Sequence, residues 1–401
     1  MSRTGTGLCD SRSILDRKTD EVRVPLQTWL NVCAVRDRTA PADEQRHQRN
    51  TDTIINSTAN TELNWVQQFC SSAEDGIIME FTEQSGEVPA VDRYEQEAMM
   101  SHLHGLQLNP PLRNLVPELL RAEMSIAMEK LGCLYDRSYA WDVFSDMMRS
   151  QLRLTLHSAD LPKPFTETTR AILVDWLIQV HEVFNFSEET LYLTVHLLNR
   201  VLRLVKVSIN SLQLLGIVCL FLAAKKEECL LPEVSELCYL MANTYSKKQL
   251  LRMERRVLCA LRFELSYSSP IHFLLLTAYI ARCSEKVICM ARYLLELSLL
   301  EAECVGFYPV QLAAAAVRLA RRLVPEPQTP ESETSWYIAS AIHLNSESSL
   351  YPIMSIMMAA ASRAHSRETR ATFVKFSTMA TLCVSLHPGL KSTPGLLGLR
   401  T

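Results

Sequence analysis

Glycine is scarce in this chain, at 11 of 401 residues, which argues against a loop-rich β architecture and for helices. Long hydrophobic runs are missing too. The longest, Leu214 to Ala224, falls short of the roughly 20 residues that a membrane span needs, and residues 1–30 lack the apolar stretch of a signal peptide. Neither sign of charge dominates. The formal charge of −3 leaves no strongly basic surface, so neither nucleic acid nor membrane is expected as a partner. The 12 cysteines include no Cys-x-x-Cys and no Cys/His pair at zinc spacing. No metal site is expected, and the cysteines read as reduced thiols of an intracellular protein. Glycine-rich phosphate loops, a Gly-x-Ser-x-Gly elbow and His-Glu-x-x-His are all absent. An enzyme reading therefore finds little support, and no cofactor is expected.

Apolar residues are present in quantity, at 48 %, enough for a substantial core. Residues 1–105 carry 10 Lys/Arg and 17 Asp/Glu without sustained periodicity, and read as mostly disordered. Within them, Trp65 and Ile77-Ile-Met-Glu-Phe81 are candidate short docking elements. Pro110, Pro111 and Pro117 punctuate the entry into the folded part. An N-terminal helix is expected over 136–153, followed by a break at Leu161-Pro-Lys-Pro164. Five helices then follow. Arg170–Phe184 is apolar nearly all round and reads as a central helix. The second is capped by Ser187 and runs to about Leu204. The third covers Asn210–Lys225, a short fourth starts near Pro232, and Ser246–Arg262 is the fifth. The pattern resumes with His272–Arg282, Lys286–Glu301, Val310–Leu323, Ser349–Arg363 and Thr372–Leu386. The fold class is therefore all-α, with two successive five-helix units and a flexible tail.

Two charges interrupt this pattern. The fifth helix opens with a capping box, Ser246 and Gln249, and carries an apolar stripe of Leu250, Val257, Leu258 and Leu261. Glu254 occupies that stripe where a leucine would be expected. In the third helix the stripe Leu214, Val218, Phe221, Leu222 continues onto Lys225. A charge on a buried stripe is costly unless paired. The two either pair with each other inside the fold or await a partner.

Several segments, in order, resemble a known family. Thr169-Arg-Ala-Ile-Leu-Val-Asp-Trp-Leu177 is similar to the opening helix of cyclin boxes. Glu189-Thr-Leu-Tyr192, Leu212-Gln-Leu-Leu-Gly216, Ala224-Lys-Lys-Glu-Glu228, Leu231-Pro-Glu-Val234, Tyr245-Ser-Lys-Lys-Gln-Leu-Leu-Arg-Met-Glu254 and Lys375-Phe-Ser377 follow in the family's order. The resemblance covers about 136–388. Within the family the chain looks most like cyclin P, and more broadly like the mitotic B-type branch.

The resemblance implies two tandem cyclin boxes, 166–267 and 269–388, with a tail at 389–401. It implies a regulatory subunit, not itself an enzyme, that binds and activates a cyclin-dependent serine/threonine protein kinase in cell-cycle control, in nucleus and cytoplasm. Lys225 and Glu254 match the pair that grips the kinase's regulatory helix, and Leu258, Phe263 and Leu265 match apolar positions beside it. A substrate-docking patch for Arg-x-Leu peptides would use Leu173, Trp176, Gln179 and Gln213, although Thr169 stands where the family has Met. Arg170 matches a buried structural arginine whose usual aspartate partner is Asn199 here; Asp175 or Glu182 would have to compensate, or the first box would be less stable. Arg12-Ser-Ile-Leu15 resembles a weak destruction box. Two other readings remain open: a non-activating adaptor of the same fold, and a transcription-associated cyclin-fold protein.

Overall fold

The computed structural model describes residues 80–81, 110–132, 136–153, 167–327, 329–342 and 347–391. The expectation of disorder over 1–105 lies outside these, apart from Glu80–Phe81, as do Trp65, the Arg12–Leu15 motif and residues 392–401. The described residues form thirteen α-helices with short 3-10 turns, and one two-stranded ladder pairs Glu80–Phe81 antiparallel to Val205–Lys206.

Helix α1 (Pro110–Lys130) precedes the expected N-terminal helix, which starts as a 3-10 turn (Arg137–Tyr139) and continues as α2 (Ala140–Arg153). The first unit holds α3 (Glu167–Phe184), α4 (Glu188–Leu204), α5 (Leu212–Glu227), α6 (Val234–Leu240) and α7 (Lys247–Ala260). The second holds α8 (Pro270–Ile280), α9 (Glu285–Ser298), α10 (Pro309–Leu323), α11 (Pro330–Ser340), α12 (Glu347–Arg363) and a short α13 (Ala371–Lys375). The prolines read as punctuation at 110, 111 and 117 in fact lie within α1, whose Leu120, Met124, Ala127 and Met128 are buried. Pro110 and Pro111 occupy its first turn, where their missing N–H groups cost no helical hydrogen bond. The expected helix Thr372–Leu386 stops at Lys375. Beyond it the chain turns through Leu382 and Cys383, both in the left-handed region, and ends in 3-10 turns that bury Leu390.

Helix α3 is wrapped by others as expected, and the hub of the first unit itself is α5. Its residues 212–224 are all buried, and α3, α4 and α7 pack on it. The stretch Ile209–Glu227 is long and apolar enough to cross a membrane, but 78 % of that window is buried inside the fold. A Cβ at Gly216 would stand 3.2 Å from Leu173 Cδ1 and 3.3 Å from Leu177 Cδ1, so glycine there sets how closely α3 and α5 approach. Helix α3 is apolar all round for another reason: its far side meets α13 and the 302–306 turn of the second unit. In that unit α10 plays the part of α5, with α8, α9 and α12 around its Ala313–Ala316 run. The third helix is thus the hub in both units.

Candidate functional site

Helix α7 is built to hold its register. Ser246 Oγ accepts from the Gln249 N–H (3.3 Å), and Gln249 Oε1 accepts from the Ser246 N–H (2.8 Å), closing the expected capping box. At the other end the Phe263 N–H donates to the Leu258 carbonyl (2.9 Å) and the Arg262 N–H to the Cys259 carbonyl (3.0 Å). This is a Schellman closure made without glycine. Arg262 and Phe263 take φ of 51° and 58°, a region costly for residues with a Cβ. The closure ties the backbone of Phe263, 59 % exposed, to that of the half-buried Leu258, with half-buried Leu265 two residues beyond.

Lys225 and Glu254 are brought together. Lys225 Nζ donates to Glu254 Oε1 at 2.5 Å and lies 4.3 Å from the centre of the Phe221 ring. The two side chains differ in exposure, 40 % for Lys225 and 11 % for Glu254. Glu254 lies on the buried stripe as its spacing requires. Lys225 does not: α5 emerges from the core at its last turn, and Lys225, Lys226 and Glu227 are exposed. Glu254 Oε2 has no partner among the described residues, and two of the three ammonium N–H groups remain beyond the one given to Glu254. The pair is therefore satisfied within the fold and still has hydrogen-bonding capacity at the surface. Leu230, Leu231 and Leu251, on the same two elements and their connection, are exposed apolar residues.

The residues expected of a docking patch lie on α3 and α5. Leu173 and Trp176 are buried, Gln213 is buried with Nε2 unpartnered among the described residues, and half-buried Gln179 donates to Asp175 Oδ2 (2.9 Å). These side chains offer little free surface as positioned.

Arg170 is buried, and neither expected compensator serves it. Its Nε donates to Asn199 Oδ1 (3.3 Å) and its Nη1 to the Leu299 carbonyl (2.8 Å). Burial lowers its pKa to about 10, opposed by the fields of Cys304 and Glu301, so it stays charged at neutral pH. Asp175 instead accepts from the Ala371 N–H (2.8 Å) at the start of α13. Burial raises its pKa to about 6, against the two hydrogen bonds it accepts. Glu182 is engaged by Lys375 Nζ (2.8 Å), which also donates to the buried Glu296 (2.8 Å). Burial works against ionised Glu182, yet His181 and Lys375 together hold its pKa well below the usual carboxylate range.

Ser187 stands at the N-cap of α4 as expected, but it does not cap through its own side chain. Its hydroxyl makes no capping bond to α4. Glu228, at the end of α5, accepts from the Ser187 N–H (2.8 Å), the Ser187 hydroxyl (2.9 Å) and the Thr190 hydroxyl (2.5 Å). A carboxylate 41 residues away caps this helix, a partner that local spacing could not reveal. No cluster of His, Cys, Asp and Glu able to hold a metal occurs among the described residues.

Known proteins share this pattern. The cyclin N-terminal domain matches residues 142–266, and the cyclin C-terminal domain matches 268–390. A G2/mitotic-specific cyclin-B2 of Oryzias latipes is 36 % identical over 233 residues, which is 57 % of this chain and 58 % of that protein. A G2/mitotic-specific cyclin-B of Patella vulgata is 34 % identical over 228 residues, 57 % of this chain and 54 % of that protein. Cyclin-A3-3 of Arabidopsis thaliana is 42 % identical over 180 residues, 43 % of this chain and 54 % of that protein. The chain thus spans less than three-fifths of the length of these relatives. A viral cyclin from herpesvirus saimiri superposes with a TM-score of 0.41 at 18 % identity, covering 50 % of this chain and 96 % of that one, too loose a likeness to carry an argument. With both domains matched in order across its helical body, the chain belongs to the cyclin family.

Proposed function

We propose that the chain is a regulatory subunit that binds and activates a cyclin-dependent serine/threonine protein kinase in the cell cycle, as a member of the branch nearest cyclin P. The observation that carries this reading is the Lys225–Glu254 pair: one partner rooted in the core, the other at the surface, with bonding capacity left on both. A purely structural pair would have no need of exposed Phe263 and Leu251 on the same helix and its closure. Together they form a charged centre with an apolar surround, suited to the end of a partner helix. The subunit contributes no catalytic group. It acts by binding one arrangement of the kinase better than the other and so shifting its population, towards the state with a complete phosphoryl-transfer site. Docking of Arg-x-Leu peptides on Leu173, Trp176, Gln179 and Gln213 draws less support, because the first two are core residues.

The test is co-precipitation of kinases with wild type, Glu254→Lys and Lys225→Ala, followed by a phosphorylation assay. Losing one partner of a buried interface charge costs about 2–5 kcal/mol, roughly 30- to several-thousand-fold in affinity. Because the Glu254 side chain is only 11 % exposed, Lys225→Ala should cost some folding stability, and a thermal melt of each variant shows that it is folded before binding is compared. Active kinase bound by wild type and lost in both variants supports the proposal. Kinase bound without activity supports the adaptor reading, and no kinase bound by wild type overturns both.

A further inference from the structure

Between the two units, side chains of α2, α3, α4, α10, the 267–268 link and the 298–309 segment line a partly open cavity of about 70 Å³. A water needs roughly 10–15 Å³ on this measure, so there is room for a few waters or one small anion. Arg170, Tyr192, His196 and Asn199 converge on it. Tyr192 Oη and His196 Nε2 are buried and have no hydrogen-bond partner among the described residues. Arg170 is 1 % exposed, and its bonds go to the uncharged oxygens of Asn199 and Leu299. The field of Glu301 reaches Arg170, but Glu301 and the other surrounding carboxylates form their bonds with other groups. Glu301 holds Arg367, Glu188 holds Arg292, Glu182 and Glu296 share Lys375, and Asp175 accepts from Ala371 and Gln179. A buried cation without a counter-charge is unfavourable, and so is a buried donor without an acceptor.

We propose that this cavity is a binding site for one small anion, of a size from chloride to formate, held by the Arg170 guanidinium with the Tyr192 hydroxyl and His196 Nε2–H as further donors. Burial keeps the groups in donor form. It raises the Tyr192 phenol well above its ordinary pKa, and it lowers His196 to about 3, helped by the positive fields of Arg200 and Lys226. A neutral imidazole donates from one nitrogen, and the tautomer protonated at Nε2 would give the unpartnered Nε2 an N–H to offer. His196 is fixed by stacking on Tyr267, with ring centres 4.0 Å apart, and Tyr267 begins the link between the units. Arg170 reaches across to Leu299 of the second unit. The anion would therefore neutralise a buried cation that spans the seam, and the packing of the two units would depend on it.

Thermal melts of the full chain at one ionic strength, in chloride, formate or the bulkier gluconate, test this. Wild type should melt about 2–4 °C higher in the two small anions, as a ligand of the folded state requires. Asn199→Asp supplies a fixed carboxylate beside Arg170 and should abolish the difference. Tyr192→Phe, which removes one donor and keeps the ring, should reduce it and serves if Asn199→Asp fails to fold. Equal melting of wild type in all three salts overturns the proposal. An undiminished anion response in the variants also overturns it, as a general salt effect. Bromide-soaked crystals give a direct readout: an anomalous peak beside Arg170 is expected, and its absence means that only water occupies the cavity.

Discussion

Asp175 shows how one side chain can act against the fold that needs it. Its carboxylate caps α13 through the Ala371 N–H, yet burial raises its pKa to about 6. In the unfolded chain an aspartate titrates near 3.9, so between about pH 4 and 6 the folded state holds the extra proton. Stability from this group is therefore greatest below that window and falls as pH rises through it, with a cost of about 3 kcal/mol at pH 7. An asparagine at this position would still accept from Ala371 and would not ionise. Urea denaturation of Asp175→Asn should show a variant at least as stable as wild type at pH 7, with the advantage gone below pH 4. A variant weaker than wild type at every pH would show that the charge on the cap outweighs its desolvation. The Asp175 role was not legible in the sequence, where the residue sits in an apolar helix and was a candidate partner for Arg170. Its actual partner is a backbone N–H 196 residues away. Glu254 was legible, because a helical period alone places it among leucines.

At the scale of elements, the short α13 is held by charge more than by length. At five residues it is too short to be stable alone. Lys375 anchors it by bonding both Glu182 of α3 and Glu296 of α9. Glu296 is 1 % exposed, and its pKa is raised by burial against the pull of Lys375. Removing the lysine leaves that carboxylate buried and unpaired, so Lys375→Met should destabilise by about 3–5 kcal/mol. Adding Glu296→Gln should recover part of the loss; chemical denaturation of the single and double variants measures both. The hub role of α5 was only half visible. Its long apolar run marks burial, as does the all-round apolar surface of α3, but burial by a second unit and burial within one unit look alike in sequence. Helix α7 was read nearly to its ends, since capping residues and apolar spacing both act locally.

For the whole molecule, the two units share one hydrophobic core rather than touching at a linker. Polar contacts run along the same seam. Arg292 bonds Glu188 at 3.0 and 2.6 Å, His272 meets Glu189 at 3.2 Å, and Gln151 of α2 accepts from the Val310 N–H at 3.1 Å. Unfolding one unit would expose the seam of the other. The units should therefore melt as one cooperative transition in calorimetry, with calorimetric and van't Hoff enthalpies equal. Two resolved transitions would mean that the seam contributes little.

The sequence by itself determined the helical class, the five helices of the first unit, the capping box of α7 and the misfit of Glu254, while α11 of the second unit was missed. Each follows from residue chemistry repeated at the period of a helix, and such information is local. Only the tertiary structure decided that Lys225 emerges beside Glu254 while staying at the surface, and that Glu228 caps α4. The same holds for Asp175 and Lys375, which latch the last helix, and for Arg170, which is left at a seam cavity without a carboxylate. These pairings join residues tens to hundreds of positions apart. Their energies depend on burial and distance, which a linear pattern does not carry.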